Sequence, residues 1–265
     1  MKRISNISLL HYVKLLVRSL LLLAMTCIYV RGRVLGDTDP FAFLRGVGVL
    51  HCVIFGAFAL SAFLRFFPSR LESMGCQKQF KRNYIPTVES ARGRHRLGTH
   101  RSTLAVLAAW LALNGAIAAL YYTGVIDAGI LVLVSLFYSV SDMICILFFC
   151  PFQTWFMKNK CCGTCRIYNW DYAMMFTPLV FVPHPLARAL FALGMGLLIL
   201  WELVILIHPE RFDVATNAAL RCVNCPEKLC HHKRQLRGFL RRHGDRFRVK
   251  ENIALLTEKL KKKDK

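Results

Sequence analysis

Long apolar runs broken by short, strongly basic loops constrain this chain more than any single motif. A helix crossing a bilayer core needs roughly 20 mostly apolar residues, because no water is there to satisfy the backbone. The first such run is "HYVKLLVRSLLLLAMTCIYV". Lys14 and Arg18 lie one turn apart near its start, where long side chains are expected to snorkel to the headgroups. Lys2 and Arg3 before it also suit a secretory signal. No small-x-small cleavage pattern follows "CIYVRGRV", so the run reads as an uncleaved anchor.

Further runs cover about 46–66, 103–124, 128–150 and 186–207. Only "YYTGVID" separates the third from the fourth, which predicts a helical hairpin. The stretch "YAMMFTPLVFVPHP" is apolar but short, and Pro178 and Pro183 interrupt it. Fourteen helical residues reach about 21 Å against a core of about 30 Å, so extended residues or local thinning must cover the rest.

Charge sets the expected orientation. Hydrophobic residues make up 55% of the chain, yet its net charge is +21. Soluble domains rarely combine the two, whereas a positive-inside membrane protein does. The Pro68–Ser102 loop holds eight basic and two acidic residues, and the segment from His208 onward holds sixteen and seven. The Arg31–Phe43 loop is balanced by Asp37 and Asp39, and "YYTGVID" carries only Asp127. Both termini, the Pro68–Ser102 loop and the cysteine loop are therefore expected in the cytoplasm.

Loop and tail can share that face only if the weak stretch crosses. The expected fold is thus all-α and polytopic. Its transmembrane domain, 1–207, has six helices (about 11–30, 46–66, 103–124, 128–150, 171–184 and 186–207). A cytoplasmic tail that is Cys-rich and basic follows at 208–265. In the tail, Leu236, Phe239 and Leu240 recur at helical spacing, as do Ile253, Leu256 and Leu260. Such a segment reads as a solvated basic tail or as a helix on anionic lipid headgroups, with a protein partner a further role. Nucleic acid is disfavoured, because no aromatic interleaving accompanies the charge.

Of the eleven cysteines, two Cys-x-x-Cys pairs flank the last two spans. "CGTC" holds Cys162 and Cys165, and "CVNC" holds Cys222 and Cys225. A two-residue spacer turns both sulfurs toward one ion, so two pairs supply four thiolates for tetrahedral Zn or for an iron–sulfur cluster. Cys161 and Cys230 stand in reserve, the latter beside His231 and His232. Structural zinc bracing loop to tail leads, followed by an iron–sulfur cluster, a thiol redox pair and unliganded cysteine. A cytosolic face argues against stable disulfides. Cys27, Cys52 and Cys145, inside apolar runs, read as small buried hydrophobes.

Inside the spans, Asp142 ("YSVSDMICI") is costly to bury and should pair; Asn114 on the neighbouring helix is the expected partner. The pair reads as an interhelical clamp or as a proton or cation site. Arg45, Arg65 and Arg188 read as snorkelling span ends, and Glu202 lies toward the cytoplasmic end of the last span. His51 has no expected second histidine at matching depth, which disfavours a bis-His haem. Gly48, Cys52 and Gly56 recur every fourth position and predict close helix packing. No glycine-rich phosphate loop, HExxH helix or nucleophile with an evident base is present, so an enzyme is disfavoured.

The stretches "CPFQTWFMKNKCCGTCRIYNWDYAMMFTP" and "HPERFDVATNAALRCVNCPEKLCHHK" resemble a group of bacterial, mostly Gram-positive-type, multi-pass membrane proteins of unassigned function. The likeness covers Cys150 to about Lys233. It implies a bacterial cytoplasmic-membrane protein and carries no substrate or reaction. Three expectations follow: a zinc-braced non-enzymatic module, an iron–sulfur electron-transfer subunit, and a proton- or cation-coupled transporter using Asp142.

Overall fold

The computed structural model describes residues 6–36, 49–68, 77–91, 100–158, 161 and 164–224. Two compact units divide the chain, Met1–Glu227 and Lys228–Lys265. The second lies wholly outside the described residues, with the amphipathic tail positions and Cys230. Cys162 and Cys225 lie outside them as well. Among the described residues the first unit is helical without a strand, and Pro86 and Asn217 form an isolated antiparallel bridge.

Among the described residues, four helices are long and apolar enough to cross a membrane. They are α1 (Asn6–Val34), α3 (His100–Tyr122), α4 (Ala128–Leu147) and α6 (Pro185–Ile207). The shorter apolar α2 (Val49–Phe63) continues as a 3-10 turn to Phe66. Even the shortest of the four, 20 residues, reaches about 30 Å.

Local sequence accounts for their ends. After Tyr122 the chain turns on Gly124, whose φ of +76° suits a residue without Cβ, and Val125 N–H closes on the Leu120 carbonyl at 3.0 Å. Asp127 then caps α4, accepting from Ile130 N–H at 2.9 Å. This is the tight hairpin that "YYTGVID" predicts. Helix α4 stops at Leu147 and not near Cys150, three residues short of the sequence expectation, and Pro151 leads into a π-helical turn at Phe152–Phe156. Pro185 opens α6 at a position where its missing N–H costs nothing.

The stretch 171–184 is a broken element in the core. It comprises α5 (Asp171–Phe176), a 3-10 turn (Thr177–Phe181) and extended residues at Val182 and His184. Tyr172, Met175, Phe176, Leu179 and Val182 are almost fully buried, packed between α4 and α6. Neighbours satisfy the broken backbone: Ser135 Oγ donates to the Met175 carbonyl at 2.8 Å, and Thr177 Oγ1 to the Ala173 carbonyl at 2.7 Å. Trp110 Nε1 in turn donates to Thr177 Oγ1 at 3.2 Å. Irregular backbone at membrane depth persists only where protein supplies such partners.

One glycine allows this packing. A Cβ on Gly194 of α6 would sit 2.9 Å from the Tyr172 carbonyl. The expected small-residue face of α2 is not packed that way. A Cβ on Gly56 would meet nothing within 4 Å, and Cys52 is exposed. Recurring small residues permit close approach without bringing a neighbour to it. Cys27 is exposed too, contrary to the buried-hydrophobe reading.

Candidate functional site: buried ion pairs and a cavity

Arg18 does not reach for the headgroups. Helix α1 packs along α4, and the Arg18 guanidinium turns inward to Asp142 Oδ2 at 3.2 Å and to the Ser139 carbonyl at 3.0 Å. The two side chains are only 12% and 15% exposed, and Arg18 also lies over the Phe58 ring at 5.8 Å. Asp142 therefore pairs with Arg18 and not with Asn114. A cation within reach stabilises a carboxylate at low dielectric far better than a neutral amide does. Asn114 bonds within its own helix, donating to the Trp110 carbonyl at 3.0 Å, and among the described residues its buried Oδ1 has no partner.

A second pair corrects another expectation. Arg65 is 5% exposed and does not snorkel; its guanidinium donates to Asp171 Oδ2 at 2.5 Å and lies over Tyr172 at 5.1 Å. A third pair joins Arg166 Nη2 to Glu202 Oε2 at 2.7 Å, while Trp170 Nε1 donates to Glu202 Oε1 at 2.8 Å. Asp171 and Arg166 thus tie the start of the broken element to α2 and α6. Opposite charges flanking apolar runs were visible in the sequence, but partner choice depends on which helices are adjacent.

Between α3, α4, the π turn and the 165–175 segment lies a cavity of about 130 Å³. Trp110, Tyr138 and Phe152 wall it: Trp110 stands 4.9 Å from Tyr138 and 6.3 Å from Phe152 between ring centroids. Asp142 and Asp171 line it, each already holding its arginine. Cys145, Cys150 and Cys165 line it as well. Among the described residues the buried Tyr138 hydroxyl has no hydrogen-bond partner.

Of the four cysteines expected as ligands, Cys165 and Cys222 lie among the described residues. Cys165 is 5% exposed, in an apolar cluster with Val106, Met157, Ile167 and Trp170. Cys161 is half-buried, and its carbonyl accepts from Thr164 Oγ1 at 3.0 Å. Cys222 is exposed. Among the described residues no three His, Cys, Asp or Glu side chains converge as a metal site.

Loop and tail nevertheless meet. Asn217, fully buried, donates through Nδ2 to the Lys78 carbonyl at 3.1 Å and to the Arg211 carbonyl at 2.8 Å. Its Oδ1 accepts from Ala219 N–H at 3.0 Å. Thr87 N–H bonds the Thr216 carbonyl at 3.2 Å, and Ala218 N–H the Ile85 carbonyl at 2.9 Å. Asn169, from the cysteine loop, donates to Gln79 Oε1 at 2.8 Å, and Phe80 stacks edgewise on Trp201 at 5.1 Å. Three chain segments are joined here by neutral hydrogen bonds. Nothing in the sequence singled out Asn217.

At the other end of the bundle, Asp127 Oδ2 binds Arg33 at 2.7 Å and Tyr29 Oη at 2.7 Å. His51 does have a second histidine nearby: its ring centroid is 6.3 Å from that of His184. The broken element brings His184 there, which a uniform helix would not have done.

Compared with known protein families, characterised proteins and solved structures, the chain matches none. What it does must be read from its own geometry.

Proposed function

We propose that the protein is a non-enzymatic, six-crossing module of the cytoplasmic membrane with both termini inside, which holds its basic tail against anionic lipid headgroups. The hydrogen-bonded joint around Asn217 carries this reading, because it anchors the start of the tail to the 77–91 segment, which is itself bonded to the cysteine loop through Asn169 and Gln79. Six crossings are supported by the partners of the broken element. Near its start, Asp171 pairs with Arg65 and Trp170 with Glu202; near its end, Phe181 meets Tyr122 at 6.0 Å and His184 meets His51. The α-helical piece and the 3-10 turn cover about 19 Å at about 1.5 and 2.0 Å per residue, and the chain then bends at Val182, whose carbonyl accepts from His184 N–H at 2.8 Å.

The test is protease accessibility of the tail in vesicles reconstituted with the full chain. Anionic lipid should protect the tail, and salt should release it. Equal cleavage in neutral and anionic vesicles defeats the lipid reading and leaves a protein partner. A tag after Lys265 that is accessible from outside the cell defeats the topology.

Zinc held by Cys162, Cys165, Cys222 and Cys225 would, on this reading, reinforce a joint that hydrogen bonds already make. Anaerobic purification with zinc, iron and sulfide analysis separates the alternatives. About one zinc per chain without sulfide supports the brace; iron with sulfide supports an electron-transfer subunit. A metal-free chain with alkylatable cysteines leaves the hydrogen-bonded joint alone. A second reading, proton- or cation-coupled transport, is favoured by Asp142 lining a cavity. Vesicle uptake by the native chain and by the double change Arg18→Gln with Asp142→Asn, which leaves no unpaired charge, tests it.

A further inference from the structure

The joint around Asn217 has its polarity reversed. Thr216 and Asn217 are fully buried and Gln79 nearly so, while Ile85, Val88 and Val214 are 50%, 73% and 39% exposed. A unit folded in water is expected to bury its aliphatic side chains and show its amides. Single exposed apolar residues are ordinary, but these gather where the two segments meet. Pro86 faces Asn217 across the antiparallel bridge, and Thr87 Oγ1 donates to the Ala215 carbonyl. Val88 follows Thr87 and Val214 precedes Ala215, so the two valines are neighbours. Arg221 donates to the Val214 and Ala215 carbonyls, each at 3.4 Å, which sets a guanidinium beside them. Lys81 and Arg82, both exposed on the 77–91 segment, add two further cations.

The level of the joint decides what surrounds it. Helix α6, with 23 residues, reaches about 34 Å against a hydrocarbon core of about 30 Å, so its end stands only a few Å outside the core. Phe80 and Phe212 of the joint pack on Trp201, at 5.1 and 6.2 Å between ring centroids. Trp201 lies about 9 Å down the axis from the last residue of α6, Ile207. The joint therefore wraps the end of the bundle at headgroup depth and does not stand off in water.

We propose that the joint is itself a lipid-binding surface. Ile85, Val88 and Val214 enter the acyl boundary of the leaflet, and Lys81, Arg82 and Arg221 hold anionic phospholipid headgroups above them. An apolar face with a cationic rim is what anchors a surface segment to an anionic leaflet. The proposal rests on the bundle being membrane-embedded, not on attachment of the tail.

In the full chain, Val88 is replaced by an environment-sensitive fluorescent amino acid, and the protein is reconstituted in vesicles of phosphatidylcholine and phosphatidylglycerol in equal parts. Phosphatidylglycerol brominated on its acyl chains should quench the emission, and aqueous iodide should not. Brominated phosphatidylcholine at the same mole fraction should quench about half as much, because the cations enrich the anionic lipid. Lys81→Gln with Arg82→Gln should remove most of that preference. Arg221 stays, because it also holds the Val214 and Ala215 carbonyls. The same probe at Val214 should give the same pattern, so a local distortion at one site does not decide the result. Salt that releases the tail should leave the acyl-chain quenching in place, since apolar burial is not screened, and this separates failure of the tail reading from failure of this one.

Quenching by iodide alone would overturn the proposal by placing the valines in water. Emission that neither quencher reaches would do so too, because a protein surface would then cover the patch. Equal quenching by the two lipids in the chain that keeps Lys81 and Arg82 would overturn the recognition of anionic headgroups.

Discussion

Arg18–Asp142 and the Asn217 joint do the same job by opposite means. Each ties together residues far apart in the chain, 124 and 139 positions respectively. The first is a charge pair inside the bundle, where a carboxylate without a cation is prohibitively placed. The second is a set of neutral amide and backbone bonds at the loop end, where each contact is modest and their number matters. Removing the carboxylate leaves the Arg18 guanidinium bonded to the Ser139 carbonyl but without its counter-charge. Removing one amide from the joint leaves several smaller contacts in place. The bundle should therefore fail abruptly and the joint gradually.

The largest break should come from Asp142→Asn, which strands the Arg18 guanidinium. Unfolding in mixed micelles should show a loss of about 3–5 kcal/mol, typical of breaking a buried pair. The double change Arg18→Gln with Asp142→Asn should recover most of it, since no uncompensated charge remains. A double variant as unstable as the single one would mean that packing, not charge, holds α1 to α4.

At the joint, Asn217→Ala leaves the Lys78 and Arg211 carbonyls and the Ala219 N–H without their side-chain partner. A loss of about 2–3 kcal/mol is expected from several modest bonds at about 1 kcal/mol each. Hydrogen exchange should accelerate in 77–91 and 208–224 while α4 and α6 stay protected. Global loosening instead would make the joint part of the bundle, and the contrast between the two regions would collapse.

The same contrast explains what could be read from the sequence. Apolar runs announced α1, α3, α4 and α6 because hydropathy sums over twenty residues and tolerates errors. Asp142 stood out because a carboxylate in such a run is expensive anywhere, whatever its partner. The partner was illegible: Asn114 is closer along the chain, but α1 and not α3 brings a cation to that face. Asn217 was illegible for the converse reason, since asparagine in a polar tail costs nothing until folding buries it. Gly194 was masked by its surroundings in "LGMGLL", where only a 2.9 Å approach to the Tyr172 carbonyl distinguishes it.

Gly194 tests packing with no charge or amide involved. Gly194→Ala forces a methyl against the Tyr172 carbonyl, a backbone atom that cannot swing aside. About 1–3 kcal/mol is expected for such overpacking, offset in part by alanine's better helix propensity. A neutral outcome would show that α5 shifts freely within its cradle.

Glu202→Gln makes the smallest change, and it sits where the two regions meet. Glu202 receives both the Arg166 guanidinium and the Trp170 indole, so it holds the 3-10 turn Arg166–Trp170 onto α6. The glutamine keeps one carbonyl acceptor but replaces the other oxygen with a donor that faces Arg166 or Trp170. With 22% of the Glu202 side chain exposed, water compensates part of that mismatch. The stability loss should stay near 1 kcal/mol. Its local consequence should be larger, because Cys165 immediately precedes the turn and is 5% exposed. Loosening the turn should speed Cys165 alkylation several-fold while leaving exchange around Asn217 unchanged. If Cys165 stays as slow as before, its apolar cluster alone seats the turn, and the charge pair only decorates it.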